Sequence, residues 1–307
     1  MTQPAALVTG ASGFLGRHVA RGFSLRGWNV VGTGVRSPEN SPRESLSSYE
    51  QLTLPSPRIY DLVARVKPEV CVHCAGPASV GISIEDPAGD FRGQVEVTFN
   101  LLDAIRTRAP ECRVIFLSSA AIYGNPQRLP VLETQAADPI SPYGFHKQLC
   151  ERLCMEFVKV YGLRAAVGRI FSAYGPGLRR QVLWDTCVKA LTQPVLKMRG
   201  TGNESRDFVH ASDVVSSIHL LAKSAPCRGE AYNIGTGAET TIRELAELIL
   251  GSLRRKIQIE FDQLVPTGDP LNWRADLTQL SALGFRPEID IRKGVADYVE
   301  WCQREVI

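Results

Sequence analysis

The sequence predicts an α/β protein built on a doubly wound parallel sheet, with a smaller C-terminal domain. Three observations predict it. Apolar runs alternate with helix-patterned segments over the first half of the chain, which is the strand–helix–strand repetition of a parallel sheet. The first run ends in a glycine-spaced turn, TGASGFLG, that opens onto an amphipathic segment. Beyond Arg169 the alternation loosens into segments punctuated by Gly and Pro, as a smaller domain interleaved with late returns to the sheet would require.

The elements follow in order. AALVTG is the first strand and Phe14 to Arg26 its helix; NVVGTGV is the second strand. Ser37 to Pro57, rich in Pro and Ser, is a long loop with room for one short helix or strand. VCVHCAG is a buried strand, residues 90–108 a helix, and RVIFLSS the next strand. A helix starts at YGFHK and runs to about residue 160; FSAYGPGLRRQ and a helix over 182–192 come after it. The expected division is a first domain of residues 1–171 with returns near 207–237, and a second of residues 172–206 with 238–307.

Composition narrows the class. The 307 residues are 44% hydrophobic and 22% charged, the mixture of a folded globular protein. A net charge of +3 with 35 scattered basic residues offers no stripe for nucleic acid. No apolar stretch reaches the roughly 18 residues of a membrane span. MTQPAALVTG runs into a strand with no basic leader, so no membrane partner and a cytoplasmic location are expected. Eight cysteines in a chain this long are not a disulfide framework. Cys71 and Cys74 point to opposite faces of a strand, and Cys150 and Cys154 read as helix packing, so no metal is expected.

In TGASGFLG, Gly10, Gly13 and Gly16 lie where a strand turns into a helix. Without side chains, backbone N–H groups and the helix N-terminus can approach a pyrophosphate, so a dinucleotide site is expected there. The end of the second strand selects the cofactor, because a carboxylate there accepts hydrogen bonds from the ribose 2′-OH of NAD. In VVGTGVRS that position is Gly34, and Arg36 follows. An arginine pairs with a 2′-phosphate that a carboxylate would repel, so NADP(H) is favoured and NAD is the alternative.

LSSAAIYG and SPYGFHK carry the chemistry. Tyr143 and Lys147, four residues apart on a helix, share one face. The ammonium favours the phenolate, which exchanges a proton with a substrate hydroxyl as hydride moves to or from nicotinamide. Ser119, at the end of its strand, hydrogen-bonds the same oxygen. Ser119, Tyr143 and Lys147 are the catalytic candidates.

With TGASGFLG, HCAG, LSSAAIYG, YGFHK, RIFSAYGPG and RDFVHASD all present, nearly the whole chain resembles the Rossmann-like extended short-chain dehydrogenase/reductase family that works on nucleotide sugars. The resemblance implies a C-terminal substrate-binding domain and a nucleotide-diphosphate sugar as substrate. It places Gly10, Ser12, Gly13, Phe14, Gly16, Arg36, Ala75, Gly76 and Lys147 at the cofactor. It places Arg206 at the diphosphate, where a guanidinium fork suits phosphate oxygens. Ser172 stands where the family has an Asn near the diphosphate. RRQVLWDTCVKAL and PTGDPLNWRAD are implied to approach the substrate, with Trp184, Trp273 and Arg274 as candidate contacts beside Ser119.

Departures from the family pattern shape the function. Ala120 and Ala121 replace the acid pair of 4,6-dehydratases, and a methyl group transfers no proton. Gln94 replaces the Asn of the NxxGT pattern, and YEQLTLPS lacks the Asp that in the family contacts adenine after the third strand. His73 reads as a strand-end histidine satisfied by backbone. His146 points away from the Tyr143 face. His210 orients a loop, with Ser212 or Asp213 capping the next helix.

The favoured reading is a 4-ketoreductase using NADPH. A 4-epimerase that keeps NAD is the alternative, and a non-catalytic dinucleotide-binding regulator the remote one. A homodimer is expected through the helices near 94–108 and 143–160. Val97, Leu101 and Ile105 on the first, and Leu149, Leu153 and Phe157 on the second, exceed one buried stripe.

Overall fold

The computed structural model describes residues 3–40, 43–264, 268 and 270–306. Its strands are β1 Ala5–Thr9, β2 Asn29–Gly34, β3 Ser48–Gln51, β4 Val70–His73, β5 Arg113–Ser119, β6 Arg164–Ile170, β7 Ser172–Tyr174, β8 Val195–Met198, β9 Ser205–Arg206, β10 Phe208–His210, β11 Arg228–Ile234, β12 Thr240–Thr241 and β13 Gln258–Phe261. Its helices are α1 Phe14–Ser24, α2 Arg58–Val66, α3 Val80–Glu85, α4 Pro87–Phe91, α5 Val97–Arg108, α6 Pro142–Tyr161, α7 Gln181–Thr192, α8 Ala211–Ser224, α9 Ile242–Ser252, α10 Thr278–Ala282 and α11 Ile291–Val306.

Seven strands form the central sheet in the order β11-β6-β5-β4-β1-β2-β3, every pair parallel. Parallel strands need crossover helices, and these cover both faces. Period-two alternation sorts the side chains between them. Ala6, Val8, Val72, Ile115, Leu117 and Ala166 pack toward α1 and α8. Leu7, Cys71, Val114, Phe116, Ala165 and Val167 pack toward α2, α5 and α6. Strand order reverses between β1 and β4, and in such sheets ligands occupy the crevice at the C-terminal strand ends of that switch point.

A second core lies in the C-terminal part. There α7, α9 and α11 pack around the parallel pair β8 and β13 through Leu183, Cys187, Leu196, Leu245, Ile249, Tyr298 and Val299. Tyr298 donates its phenol proton to the Leu178 carbonyl at 2.5 Å, which satisfies a hydroxyl that burial would otherwise leave unpaired. All eight cysteines are free thiols. Among the described residues no helix is long and apolar enough to cross a membrane, and no group of three His, Cys, Asp or Glu could hold a metal.

Local structure differs from the sequence reading in four places. The helix over 90–108 is broken into α4, a π-helical turn at Arg92–Glu96, and α5; the wider turn carries the buried Gln94 side chain, which donates to the Pro77 carbonyl at 2.7 Å. The loop over 37–57 holds two 3₁₀ turns and β3, which extends the sheet. His210, not Ser212 or Asp213, caps α8: its ring nitrogen accepts from the Ser212 N–H. Asp213 instead accepts from the backbone N–H groups of Glu288 and Ile289, tying the C-terminal segment to the large domain.

The fourth difference concerns the apolar surplus. Val97, Leu101, Ile105 and Phe157 are buried in the chain's own core, and Leu153 packs against it. Exposed apolar area on these helices comes from Phe99, Phe145 and Leu149, at 49%, 52% and 45%, and from Val160 and Tyr161 at the end of α6.

Candidate active site

At the switch point, Gly10 ends β1 in a left-handed conformation with φ +65°. A Cβ there would stand 2.8 Å from the Ala75 nitrogen and the Cys74 carbonyl, and one at Gly16 would stand 2.1 Å from the Gly10 carbonyl oxygen. Only glycine fits either place. Gly13 caps α1 without a side-chain bond to the first-turn N–H groups, so these donors and the positive helix end face the crevice. The cradle suits a pyrophosphate, and the residues present fit a dinucleotide cofactor.

That cradle opens into a cavity of about 940 Å³. Gly13, Phe14, Gly16, Gly76, Ser119, Tyr143, Lys147, Ser172, Arg206 and Trp273 line it; Gly10, Ser12, Ala75 and Arg36 do not. Gly10, Ser12 and Ala75 instead form the back of the turn. Ser12 gives its carbonyl to Arg17 Nε at 3.0 Å, and Ala75 N–H donates to Thr9 Oγ1 at 3.2 Å. Arg36 is exposed beyond β2, its carbonyl accepting from Tyr49 Oη at 2.9 Å. Beside it, a Cβ on Gly34 would lie 2.7 Å from Ser12 Oγ and 2.9 Å from Tyr49 Oη. A side chain at this position would require the Ser12 and Tyr49 hydroxyls to move aside. Arg17, Arg36 and Arg179 are close enough that burial first, then the other two charges, lower the Arg17 guanidinium below its ordinary value.

Alternation along β5 separates two adjacent serines. Ser118 Oγ donates to Glu151 Oε1 at 2.5 Å, inside a buried network in which Arg169 bonds Glu151, the Tyr123 hydroxyl and the Glu133 carbonyl. Ser119 Oγ accepts from Ala121 N–H at 3.1 Å, capping a 3₁₀ turn at Ala120–Tyr123, and its own proton remains free to donate toward the cavity.

The same turn seats the helix that carries Tyr143 and Lys147. Ser141 caps α6 by accepting from Gly144 N–H at 3.2 Å, and Pro142 occupies its first turn. A Cβ on Gly144 would lie 2.6 Å from the Ala121 carbonyl oxygen, so α6 packs directly on the turn. Ser83 Oγ accepts from Tyr143 N–H at 3.1 Å. Lys147 is buried; its Nζ donates to the Leu117 carbonyl at 2.8 Å and lies 4.9 Å from the Phe116 ring and 5.9 Å from the Tyr143 ring.

On the substrate side the outcome is divided. Arg206 donates to the Ser205 and Leu271 carbonyls and stacks at 5.7 Å on Trp273, whose indole N–H donates to the Gly124 carbonyl at 3.0 Å. Trp184 is not in the cavity: it packs at 5.6 Å against Trp301 in the C-terminal core. Arg274 is not either; its carbonyl accepts from Val131 N–H, and its Nε is buried without a partner. In PTGDPLNWRAD, residues 266, 267 and 269 lie outside the described residues.

The profile of the NAD dependent epimerase/dehydratase family matches residues 6–235. The chain belongs to that family. The UDP-glucose 4-epimerase of Mycolicibacterium smegmatis is 30% identical over 315 residues, covering 97% of this chain and 98% of its own. MoeE5, solved in complex with UDP-glucose and NAD, is similar with a TM-score of 0.89 and 29% identity over 99% of this chain and 100% of its own. Thermus thermophilus UDP-glucose 4-epimerase, solved with NAD, is similar with a TM-score of 0.88 and 25% identity over 97% and 99%. As a family member the chain is an NAD(P)-dependent enzyme of the extended short-chain dehydrogenase/reductase type.

Several residues of this epimerase/dehydratase chain escape sequence reasoning. Arg169 stands as a charge inside the apolar run AAVGRIF, a signal for a buried partner; Glu151 holds its guanidinium above the ordinary value although burial alone would lower it. Asp207, beside Arg206, is fully buried and accepts from Thr236 N–H and hydroxyl, Gly237 N–H and Ala275 N–H. Arg180, in the RRQVLWDTCVKAL segment implied to approach the substrate, lines the cavity, and so does Arg199, which no sequence motif announces.

His73 has hydroxyl partners, not the backbone partner its strand-end position suggested. Nδ1 lies 2.7 Å from Thr9 Oγ1, and Nε2 lies 3.2 Å from Thr98 Oγ1. Burial, with a smaller push from the Lys147 charge, lowers the imidazole from 6.5 to about 3. The neutral ring therefore contributes stability that is complete above the unfolded value of about 6.5. That stability is lost as pH falls toward the folded value, with a slope approaching about 1.4 kcal/mol per pH unit. Denaturant unfolding of the wild type from about pH 6.5 to 5, above the usual carboxylate range, should show at least this slope, and His73→Gln should reduce it, leaving the share of His18, His210 and His219, whose rings burial also lowers.

Proposed function

We propose that the protein is an NAD-dependent nucleotide-sugar 4-epimerase. The observation that carries the reading is the shared cavity. Ser119, Tyr143 and Lys147 line it together with Gly13 and Gly16 of the cradle and Arg206, in a chain that aligns over nearly its whole length with named 4-epimerases. In this reading residues 1–171 with 207–237 hold the cofactor, and residues 172–206 with 238–307 hold the nucleotide sugar.

When bound, the nicotinamide cofactor supplies a reversible hydride acceptor. Tyr143 Oη takes the proton of the C4 hydroxyl as that carbon is oxidised, and returns it when the carbon is reduced. Ser119 Oγ–H donates to the same oxygen and holds it in line. Lys147 sets positive charge beside the tyrosine and is fixed by the Leu117 carbonyl. Arg206 binds the diphosphate, so the keto sugar can turn within a cavity of about 940 Å³ while its nucleotide stays anchored. Ala121 lines the cavity and Ala120 is buried, so neither supplies the acid–base pair of a dehydratase.

One observation favours a second reading, a 4-ketoreductase using NADPH. Ser12 and Tyr49 occupy the space a ribose-binding carboxylate would need at position 34, and Arg36 follows. Cofactor content separates the two: near-stoichiometric NAD in the purified protein, with interconversion of C4 epimers, supports the epimerase. A protein that purifies empty, binds NADPH tightly and reduces a 4-keto sugar overturns it.

Tyr143→Phe is expected to lower turnover by about 10²–10⁴-fold with cofactor binding retained. Ser119→Ala should cost less, and Lys147→Ala should weaken cofactor binding as well; steady-state kinetics and equilibrium dialysis check the series. A tenth or more of wild-type turnover in Tyr143→Phe, with chemistry rate-limiting, would refute the role of this tyrosine. We extend the proposal to a homodimer in which α5 and α6 pair through Phe99, Phe145 and Leu149. Light scattering at micromolar concentration should give twice the chain mass, and Phe145→Glu with Leu149→Glu should give the monomer.

A further inference from the structure

A buried hydrogen-bond circuit begins and ends on one stretch of the cavity wall. Ala75 N–H donates to Thr9 Oγ1 at 3.2 Å, and Thr9 Oγ1 lies 2.7 Å from His73 Nδ1. His73 Nε2 lies 3.2 Å from Thr98 Oγ1, and Thr98 donates to the Gln94 carbonyl at 2.7 Å. From Gln94 the path returns to its origin, because Nε2 of that side chain donates to the Pro77 carbonyl at 2.7 Å. The four linking side chains, Thr9, His73, Thr98 and Gln94, are all buried.

Proton counting fixes the direction. Thr98 has one hydroxyl proton and gives it to Gln94, so His73 donates from Nε2 and accepts at Nδ1 from Thr9. Every donor from Ala75 to Gln94 then points the same way, and hydrogen bonds so aligned strengthen one another. Both ends lie on the segment Cys74–Pro77, of which Cys74, Gly76 and Pro77 line the cavity. The segment has no slack: a Cβ on Gly76 would stand 2.9 Å from Gln94 Oε1. Thr98 Oγ1 also lies 3.3 Å from Cys150 Sγ, on α6 three residues beyond Lys147. The π-helical turn is what sends Gln94 inward to close the path.

We propose that this circuit sets the Cys74–Pro77 wall against the Tyr143 and Lys147 helix, making Thr98 and Gln94 positioning residues for turnover. Neither side chain lines the cavity, and both act through the segment they hold. The effect on turnover rests on the oxidoreductase reading of this cavity; the clamp itself does not. Because misplacing a wall by about 1 Å affects reaction geometry more than binding, the proposal predicts a loss in kcat with little change in KM.

Thr98→Val keeps the side-chain shape and removes the hydroxyl. Expected are about tenfold faster amide exchange at Ala75 and about tenfold lower kcat, with KM for the nucleotide sugar within about twofold of wild type. Thr98→Ser should restore both. Exchange and kcat within about twofold of wild type in Thr98→Val would overturn the proposal. Should Thr98→Val fail to fold, Gln94→Met leaves the His73–Thr98 bond in place and frees only Pro77. Its unchanged exchange over residues 74–76 with unchanged kcat would overturn the proposal equally. Faster exchange in these variants of a wild type inactive on every nucleotide sugar would support the clamp and count against the assigned reaction alone.

Discussion

A parallel sheet covered on both faces leaves only its strand ends open, and this constraint organises the molecule. Apart from strand ends such as Arg164, neither face of β1, β4, β5 or β6 reaches solvent, since alternate residues feed two separate cores. Polar chemistry is therefore confined to the C-terminal edge, where the backbone leaves the sheet. At that edge the turn after β1 and the segment after β4 approach until a Cβ at Gly10 would collide with Cys74 and Ala75. Two walls of the cavity are thereby fixed relative to each other by backbone alone. The third wall, α6, is fixed by the contact of Gly144 with the turn that follows β5.

Legibility follows from how local each determinant is. The sheet and the glycine turn can be read because period-two alternation and a left-handed glycine are properties of a few consecutive residues. Ser119, Tyr143 and Lys147 can be read because strand end and helix face are local too, and the structure brings them to one cavity. Trp184 and Arg274 fail for the opposite reason. Trp184 of α7 packs on Trp301, more than a hundred residues away, and Arg274 lies outside the cavity beside the bridge of Val131 with Ala275, its carbonyl accepting from Val131 N–H. A tryptophan in a substrate-side segment is equally good packing material, and nothing in its neighbours tells the two apart.

Buried polar groups were the least legible class. Arg169, Asp207 and Gln94 each join segments far apart in sequence, and each is fully useful only once its partners have folded around it. Asp207 gathers backbone donors from residues 236–237 and 275, while Arg169 joins β6 to α6 and to the carbonyl of Glu133. Desolvating such groups is costly, so their bonds must form together. They thus specify how loops from both parts of the chain register at the cavity, a task that apolar packing performs poorly because it lacks direction.

The two serines at the end of β5 separate roles that a single residue would have to reconcile. Both line the cavity, but the Ser118 hydroxyl is given to Glu151 in the scaffold, whereas the Ser119 hydroxyl accepts from Ala121 N–H and caps the turn. They are consecutive residues, yet the hydrogen bonds that their hydroxyls make have no partner in common. A lineage could retune the cavity hydroxyl for a new substrate without disturbing the fold, or harden the scaffold without altering its chemistry. Insertion or deletion of a single residue in β5 is the change this arrangement cannot absorb, because it would exchange the two hydroxyls at a stroke.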